Sequence, residues 1–388
     1  PFSFQYIQAY TLFQYKFQKN FSLQVLFETL IINSLTRRTI IFMEQTKKRI
    51  LTFCVACIFF LILIFVLIHP DQADSTEPIS KTAFKLNTVV TLKIYDSKDE
   101  TLLDDALAIC DKYENIFSRT KESSELYNLN HKTLPQNDGA FTVSSDFADL
   151  VSKGLYYSRL SGGGFDITIE PISSMWDFVS DEKIVPDDAA LKNALPLVNY
   201  ENVTLEGDQI RFAKDGMGLD FGAIAKGYIA DQIKEFLISK GVKSAIIDLG
   251  GNTLCIGKKP DGSPFHIGIQ KPFAERSETI AALEINDKSV VSSGIYERYF
   301  EKDGNFYHHI LNPKTGYPYD NSLISVTIIS DKSVDGDGLS TTCFALGLEK
   351  GMELINSLPD VQAVFITDDY QLHYSDHFND ELTVIDVN

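Results

Sequence analysis

From Leu102 to Phe117 apolar residues return every three to four positions, at Leu103, Leu107, Cys110 and Tyr113. That is the period of a helix with one buried face. Thr88–Tyr95 just before it, TVVTLKIY, alternates as a half-buried strand does, and Ser145–Leu160 carries a second amphipathic helical pattern. A short helix is expected over Asp188–Ala194, and Val203–Glu206 with Gln209–Ala213 forms a hairpin across Gly207-Asp208. A helix opening after Gly222-Ala223 continues to Ser239, where Gly241 ends it. Ser244–Leu249 reads as a buried strand closed by Gly250, Gly251 and Asn252, followed by strands at Phe265–Ile269, Ile280–Ile285 and Ser289–Ser293. Consecutive strands with few helices between them predict antiparallel pairing rather than a doubly wound parallel sheet. The expected class is α+β: antiparallel sheets flanked by helices, with a ligand cleft between two sub-regions of one body. Two stretches are expected as loops that lead into regular structure. Ser161–Ile172, SGGGFDITIEPI, is a glycine loop running into a strand that ends at Pro171, and Asp335–Leu346 is an acidic loop running into a helix.

Composition adds a topology. At 388 residues and 44% hydrophobic, the chain can bury a large core. Residues 1–42 are crowded with Phe, Tyr and Gln without a clean period, and Met43 followed by Glu44–Arg49 reads as a translation start, so 1–42 are expected to be an upstream extension. Lys47, Lys48 and Arg49 precede Ile50–Ile68, 19 residues without a charge. Such a run is long enough to span a bilayer, and the basic flank stays cytoplasmic. Residues 43–70 are therefore expected to anchor the chain in the cell membrane as a single pass. Cys54 and Cys57 lie inside the run, not after it, which argues against a lipid anchor. A polar tether over 71–83 then leads to an extracytoplasmic body, 84–388. Beyond residue 70 the chain holds 28 basic and 51 acidic residues, a net charge of −23. So acidic a body is a poor nucleic-acid binder and needs a cation wherever it meets a phosphate. Cys110, Cys255 and Cys343 form neither a disulfide framework nor a zinc spacing and are expected as buried thiols, with room for one pair.

Several residues can carry chemistry. In Leu219–Asp231, LDFGAIAKGYIAD, a small-residue turn opens a helix with Lys226 one turn in, which can offer free amides and a cation to an oxyanion. A tight strand-to-helix connection with a solvated lysine explains the same residues. Asp337 and Thr341, four apart on a helix, can hold one hard cation, and two such ligands suit magnesium better than calcium; a helix cap at Asp337 is the plain alternative. His309 is the leading general base, while the adjacent His308 points to the opposite face. Gly163, Gly164 and Phe165 suit a loop against which a flat ring can lie, or a plain turn. Arg119, Ser124 and Asn130 in FSRTKESSELYNLN can contact a ligand or simply build a surface turn. There is no G-x-S-x-G elbow and no dinucleotide fingerprint, so acyl transfer and nicotinamide chemistry lack support.

Taken in order, FKLNTVV, FSRTKESSELYNLN, GGGFDITIEP, LDFGAIAKGYIAD, IIDLGGN, HHILNPKTGYP and GDGLSTTCFALG resemble the ApbE-type FAD:protein FMN transferases over Phe84 to Asp369. The resemblance implies a magnesium-dependent enzyme that cleaves FAD, passes FMN to a Ser or Thr hydroxyl of an extracytoplasmic flavoprotein through a phosphoester, and releases AMP. It implies metal contacts from the Ala223 carbonyl, Asp337 and Thr341, with Ser340 close enough to assist. FAD contacts fall on Gly163, Gly164, Phe165, Asp220, Lys226 and Leu311, and His309 falls on the family histidine. Asn312 stands where the family often has Asp, so a carboxylate role is lost there while the turn can be kept. Leu86-Asn87 replaces a frequent Met-Gly before Thr88, which leaves FAD hydrolysis to FMN and AMP open beside transfer. A flavin-binding protein without catalysis is the reading from another class.

Overall fold

Leu323–Ser330, LISVTIIS, is buried along its whole length. A strand achieves that only when both faces of its sheet are covered. The computed structural model describes residues 77–180, 182–275, 277–376, 378 and 383–385, together with short helical stretches at 29–30, 33–38, 42–49, 52–53 and 57–60. The chain divides into two units, Pro1–Ser75 and Thr76–Asn388. In the first, most of the apolar run Ile50–Ile68 lies outside the described residues, and among those described no helix is long and apolar enough to cross a membrane.

In the second unit the strands are, in chain order, β1 (Ile79–Lys85), β2 (Thr88–Ile94), β3 (Gln136–Asn137), β4 (Ala140–Thr142), β5 (Val203–Glu206), β6 (Gln209–Phe212), β7 (Ser244–Leu249) and β8 (Asn252–Gly257). There follow β9 (Phe265–Gln270), β10 (Thr279–Ile285), β11 (Ser289–Gly294), β12 (Tyr299–Lys302), β13 (Asn305–His308), β14 (Leu323–Ser330), β15 (Gln362–Thr367), β16 (Leu372–Tyr374) and β17 (Val384–Ile385). The helices are α1 (Thr101–Phe117), α2 (Glu125–Asn130), α3 (Ser145–Leu160), α4 (Glu170–Ser173), α5 (Asp188–Ala194), α6 (Ala225–Ser239) and α7 (Ser333–Asn356).

Eight strands form the main sheet in the order β1-β2-β7-β8-β11-β14-β15-β16, every pair antiparallel. The expected α+β class with antiparallel pairing is what the chain adopts. One face of the sheet packs on α1, α6 and α7 through Leu92, Leu103, Tyr113, Ile233, Ile247, Val326 and Phe344. The other packs on the small sheet β17-β10-β9 through Phe265, Ile267, Leu283, Ile329 and Ile366. A third apolar cluster, centred on Trp176, Ile172, Leu191 and Phe300, ties the hairpin β12–β13 to α4 and α5. Cys110, Cys255 and Cys343 are free and buried, as expected, and no pair forms among them.

Four expectations change, the first being that Asp335–Leu346 opens on no loop, because its helix already begins at Ser333. Residues after the glycine loop make no strand: Asp166 Oδ1 accepts from the amide and hydroxyl of Thr168, its Oδ2 accepts from the Tyr200 amide, and α4 follows. The polar stretch Glu125–Asn130, read as loop, is a helix capped by Ser124. β1 takes in Ile79–Ala83, part of the expected tether, because those residues pair in register with Val90–Ile94.

Candidate active site

The turn before α6 is fixed from outside itself. Asn130 clamps Leu219 on both sides, its Oδ1 accepting from the Leu219 amide and its Nδ2 donating to the Leu219 carbonyl, each at 2.8 Å. Asp220 Oδ1 accepts from the Gly222 amide at 2.8 Å, and its Oδ2 accepts from Ser173 Oγ at 2.6 Å and lies 3.3 Å from Arg119 Nε. Arg119 and Asn130 therefore serve the shape of this turn, while Ser124 caps α2 by accepting from the Tyr127 amide. In a regular helix start the Gly227 amide would bond the Ala223 carbonyl four residues back. Here it donates to Asp337 Oδ2 at 2.8 Å, and no amide among the described residues donates to the Ala223 carbonyl.

That bond exists because α6 and α7 touch backbone to backbone. A Cβ on Gly227 would lie 2.3 Å from the Ser333 carbonyl oxygen and 2.7 Å from Val334 Cα. Asp231, one turn further along α6, accepts the first amides of α7, from Ser333 at 2.8 Å and Val334 at 2.9 Å. Burial pushes its carboxyl up to about 6 against the pull of these two donors. Asp337 is thus not the cap of α7, which the simpler reading of the sequence made it: the helix begins at Ser333, and Asp337 sits a full turn inside. It is 4% exposed, and no cationic side chain among the described residues pairs with it. A buried carboxylate left without a countercharge is costly. Thr341 follows one turn on, half-buried, and Ser340 is fully buried with its hydroxyl on the Asp337 carbonyl at 3.0 Å. A carboxylate, a hydroxyl and an unclaimed carbonyl are hard oxygen donors. They fit magnesium, which takes few protein ligands and keeps places for water and substrate phosphate. Among the described residues no group of three or more His, Cys, Asp or Glu could hold a metal.

Lys226 is half-buried and has no hydrogen-bond or ion-pair partner among the described residues. Its charge reaches His309: burial first, then Arg298, His308 and Lys226 hold the imidazole down to about 3, with the Arg298 carbonyl opposing. His309 Nδ1 lies 3.3 Å from that carbonyl. A carbonyl only accepts, so Nδ1 carries the proton and Nε2 keeps a bare lone pair. His308, as expected, faces elsewhere. It is buried, its Nε2 donates to the Tyr319 carbonyl at 2.9 Å, and its Nδ1 accepts from the Ile310 amide at 3.3 Å.

The glycine loop is tied to the same region through Tyr319, whose hydroxyl donates to the Gly164 carbonyl at 2.8 Å. Gly163 adopts φ +79°, open to glycine and strained for other residues. The Phe165 side chain is 4% exposed and meets Tyr157 edge-on in the core, and both its backbone groups bond Ser161 Oγ. Leu311 packs in the Trp176 cluster and bridges to Pro318. Asn312 holds its turn: Oδ1 accepts from the Lys314 amide, and its carbonyl accepts from Gly316. Leu86-Asn87, where the family pattern differs, is the tip of the β1–β2 hairpin, and Arg298 donates to the Asn87 carbonyl at 3.4 Å. Arg298, Tyr319 and Ser293 stand in stretches that look like ordinary strand ends and loops, and Asp231 on an amphipathic helix, so no local pattern marks them as parts of the site. A separate cleft of about 380 Å³ opens between α3 and α7, lined by Tyr157, Asp335, Leu339 and Val361. Asp335 faces it and Asp337 does not.

The fold is that of a flavin transferase: it matches the "Flavin Transferase ApbE from Vibrio cholerae" with a TM-score of 0.69 and 25% identity, over 78% of this chain and 99% of that one. The chain belongs to the ApbE family, whose model matches residues 86–365. It is 37% identical over 290 residues to an FAD:protein FMN transferase of Klebsiella pneumoniae (strain 342), covering 74% of this chain and 89% of the relative. It is 31% identical over 327 residues to an FAD:protein FMN transferase of Treponema pallidum (strain Nichols), covering 79% and 90%.

Proposed function

We propose that this chain transfers FMN from FAD to a Ser or Thr hydroxyl of an extracytoplasmic flavoprotein, with magnesium, through a phosphoester, releasing AMP. The observation that carries this reading is the Gly227–Asp337 bond, which sets a buried carboxylate beside an unclaimed carbonyl at the helix start that bears Lys226. Asp337, Thr341 and the Ala223 carbonyl would hold the metal, with Ser340 behind them. When bound, magnesium offsets the charge of the pyrophosphate that an acidic body would otherwise repel. Lys226 takes a further share, and the glycine loop with Asp220 and Leu311 borders the nucleotide. The acceptor oxygen bonds to the FMN phosphorus, the bond from that phosphorus to the bridging oxygen breaks, and AMP leaves with the bridging oxygen. The hydroxyl proton goes to Nε2 of His309. The charge-free run behind Lys47–Arg49 supports a membrane anchor that leaves the body outside the cytoplasm.

The test is incubation of the full chain with FAD, magnesium and a flavoprotein acceptor, followed by mass spectrometry. FMN covalently on an acceptor Ser or Thr with equimolar AMP is expected. Free FMN with AMP would make it a hydrolase, and intact bound FAD a binder.

Lys226→Ala is expected to weaken FAD binding roughly 10- to 100-fold, the worth of a charged hydrogen bond, and riboflavin binding hardly at all. Equal losses would show that Lys226 meets no phosphate. His309→Ala is expected to slow transfer roughly 10²-fold or more with FAD affinity kept. Because the folded enzyme holds His309 neutral down to about pH 3, kcat/KM should show no acid inflection from it near 6.5. The same shift makes His309 lower stability as pH falls below about 6.5, where the unfolded chain takes up a proton that the native state refuses. An inflection near 6.5 that vanishes in His309→Ala would show that the imidazole titrates at its ordinary value and is not held down in the fold.

A further inference from the structure

Three hydroxyls beside Asp337 form a chain whose direction is dictated by its last acceptor. Ser293, near the end of β11, places Oγ 2.8 Å from Ser340 Oγ and 3.1 Å from Thr341 Oγ1. Ser340 Oγ lies 3.0 Å from the Asp337 carbonyl, which can only accept. Each hydroxyl owns one proton. Ser340 gives its proton to the carbonyl, so it must accept from Ser293. Ser293, its proton now used, must accept from Thr341. The order is Thr341 to Ser293 to Ser340 to the Asp337 carbonyl. Ser340 is fully buried, so water offers it no competing partner.

We infer that Ser293 is a positioning residue for the metal site. By taking the Thr341 proton it fixes that hydroxyl's rotation and leaves the lone pairs of Thr341 Oγ1 turned away from β11, as acceptors for a divalent cation. Ser293 acts through Thr341, as partners behind metal ligands do elsewhere. The inference rests on the proposal that Asp337 and Thr341 bind the metal, and it adds a residue from a strand that the two helices do not contain.

Binding of Mn²⁺ alone to the full chain, without FAD and followed by electron paramagnetic resonance of the free ion, tests it apart from turnover. Ser293→Ala is expected to weaken Mn²⁺ binding roughly tenfold. Ser293→Thr, which keeps the hydroxyl, is expected to restore it. Adding Ser293→Ala to Thr341→Val is expected to cost nothing more, since Ser293 has then lost the group it orients. Ser293→Cys, similar in size but a weak donor, gives the same reading if the alanine variant does not fold. Asp337→Ala separates the two ideas. Unchanged Mn²⁺ binding in that variant would sink the metal site itself. Loss there, with Ser293→Ala within twofold of wild type or with Ser293 and Thr341 effects that simply add, would overturn the positioning role alone.

Discussion

Asp337→Ala is expected to cut FMN transfer by about 10³-fold or more, because a metal ion supplies several kcal/mol of charge stabilisation and each ~1.4 kcal/mol is tenfold in rate. Alanine also leaves the Gly227 amide without its acceptor, so a loss of activity alone would not separate metal binding from folding. Asp337→Asn makes that separation. The asparagine oxygen can still accept from Gly227, while the charge that attracts the metal is gone. Its transfer rate is expected to fall nearly as far as that of the alanine variant. Its melting temperature without magnesium is expected to equal or exceed that of wild type, since an uncompensated buried carboxylate has been removed. Adding magnesium is expected to raise the melting temperature of wild type and leave Asp337→Asn unmoved. Magnesium stabilising both proteins alike would end the assignment.

Gly227→Ala is the second large effect, and it reads the helix crossing. The added methyl would meet the Ser333 carbonyl and Val334 Cα, backbone that cannot rotate aside as a side chain can. Overpacking of this kind costs about 1–3 kcal/mol, so the melting temperature is expected to fall by roughly 2 to 8 °C. Activity is expected to fall further than that loss of stability explains. Any separation of α6 from α7 lengthens the Gly227–Asp337 bond that joins the two helices. A control substitution elsewhere on the exposed side of α6, such as Glu235→Ala, is expected to change neither quantity. If Gly227→Ala matched wild type in melting temperature and metal affinity, close contact between the helices would not be what assembles the site.

Local elements were legible where a short period repeats. Ser145–Leu160 and Asp188–Ala194 are helices over the expected residues, and the hairpin turns at Gly207-Asp208. Glu125–Asn130 escaped because ELYNLN has too few apolar positions to show a period, and its helix depends on the Ser124 cap. β8, β14 and β15 were missed or left unassigned for the opposite reason. They are buried on both faces or nearly so, polar residues such as Ser325 and Thr327 included, so no solvent face marks them with an apolar–polar alternation. In the candidate site, residue types such as Asp337, Thr341, Lys226 and His309 could be picked out, whereas the supports around them could not. For Arg119 and Asn130 the residue types allowed a ligand contact or a turn, and it is the turn before α6 that they hold.

What the chain determined by itself is what four neighbouring residues can decide: helix and strand periods, glycine turns, the acidic charge and the order of the motifs. The tertiary structure alone decided that Gly227 meets Asp337, 110 residues away, and that Asn130 grips Leu219 across 89. It also decided that the Ala223 carbonyl is released when its usual amide turns elsewhere. Such bonds join residues whose separation along the chain carries no trace of their contact. They form only after the sheet has brought both helices onto one face, where burial makes each unmet polar group costly enough to fix its partner.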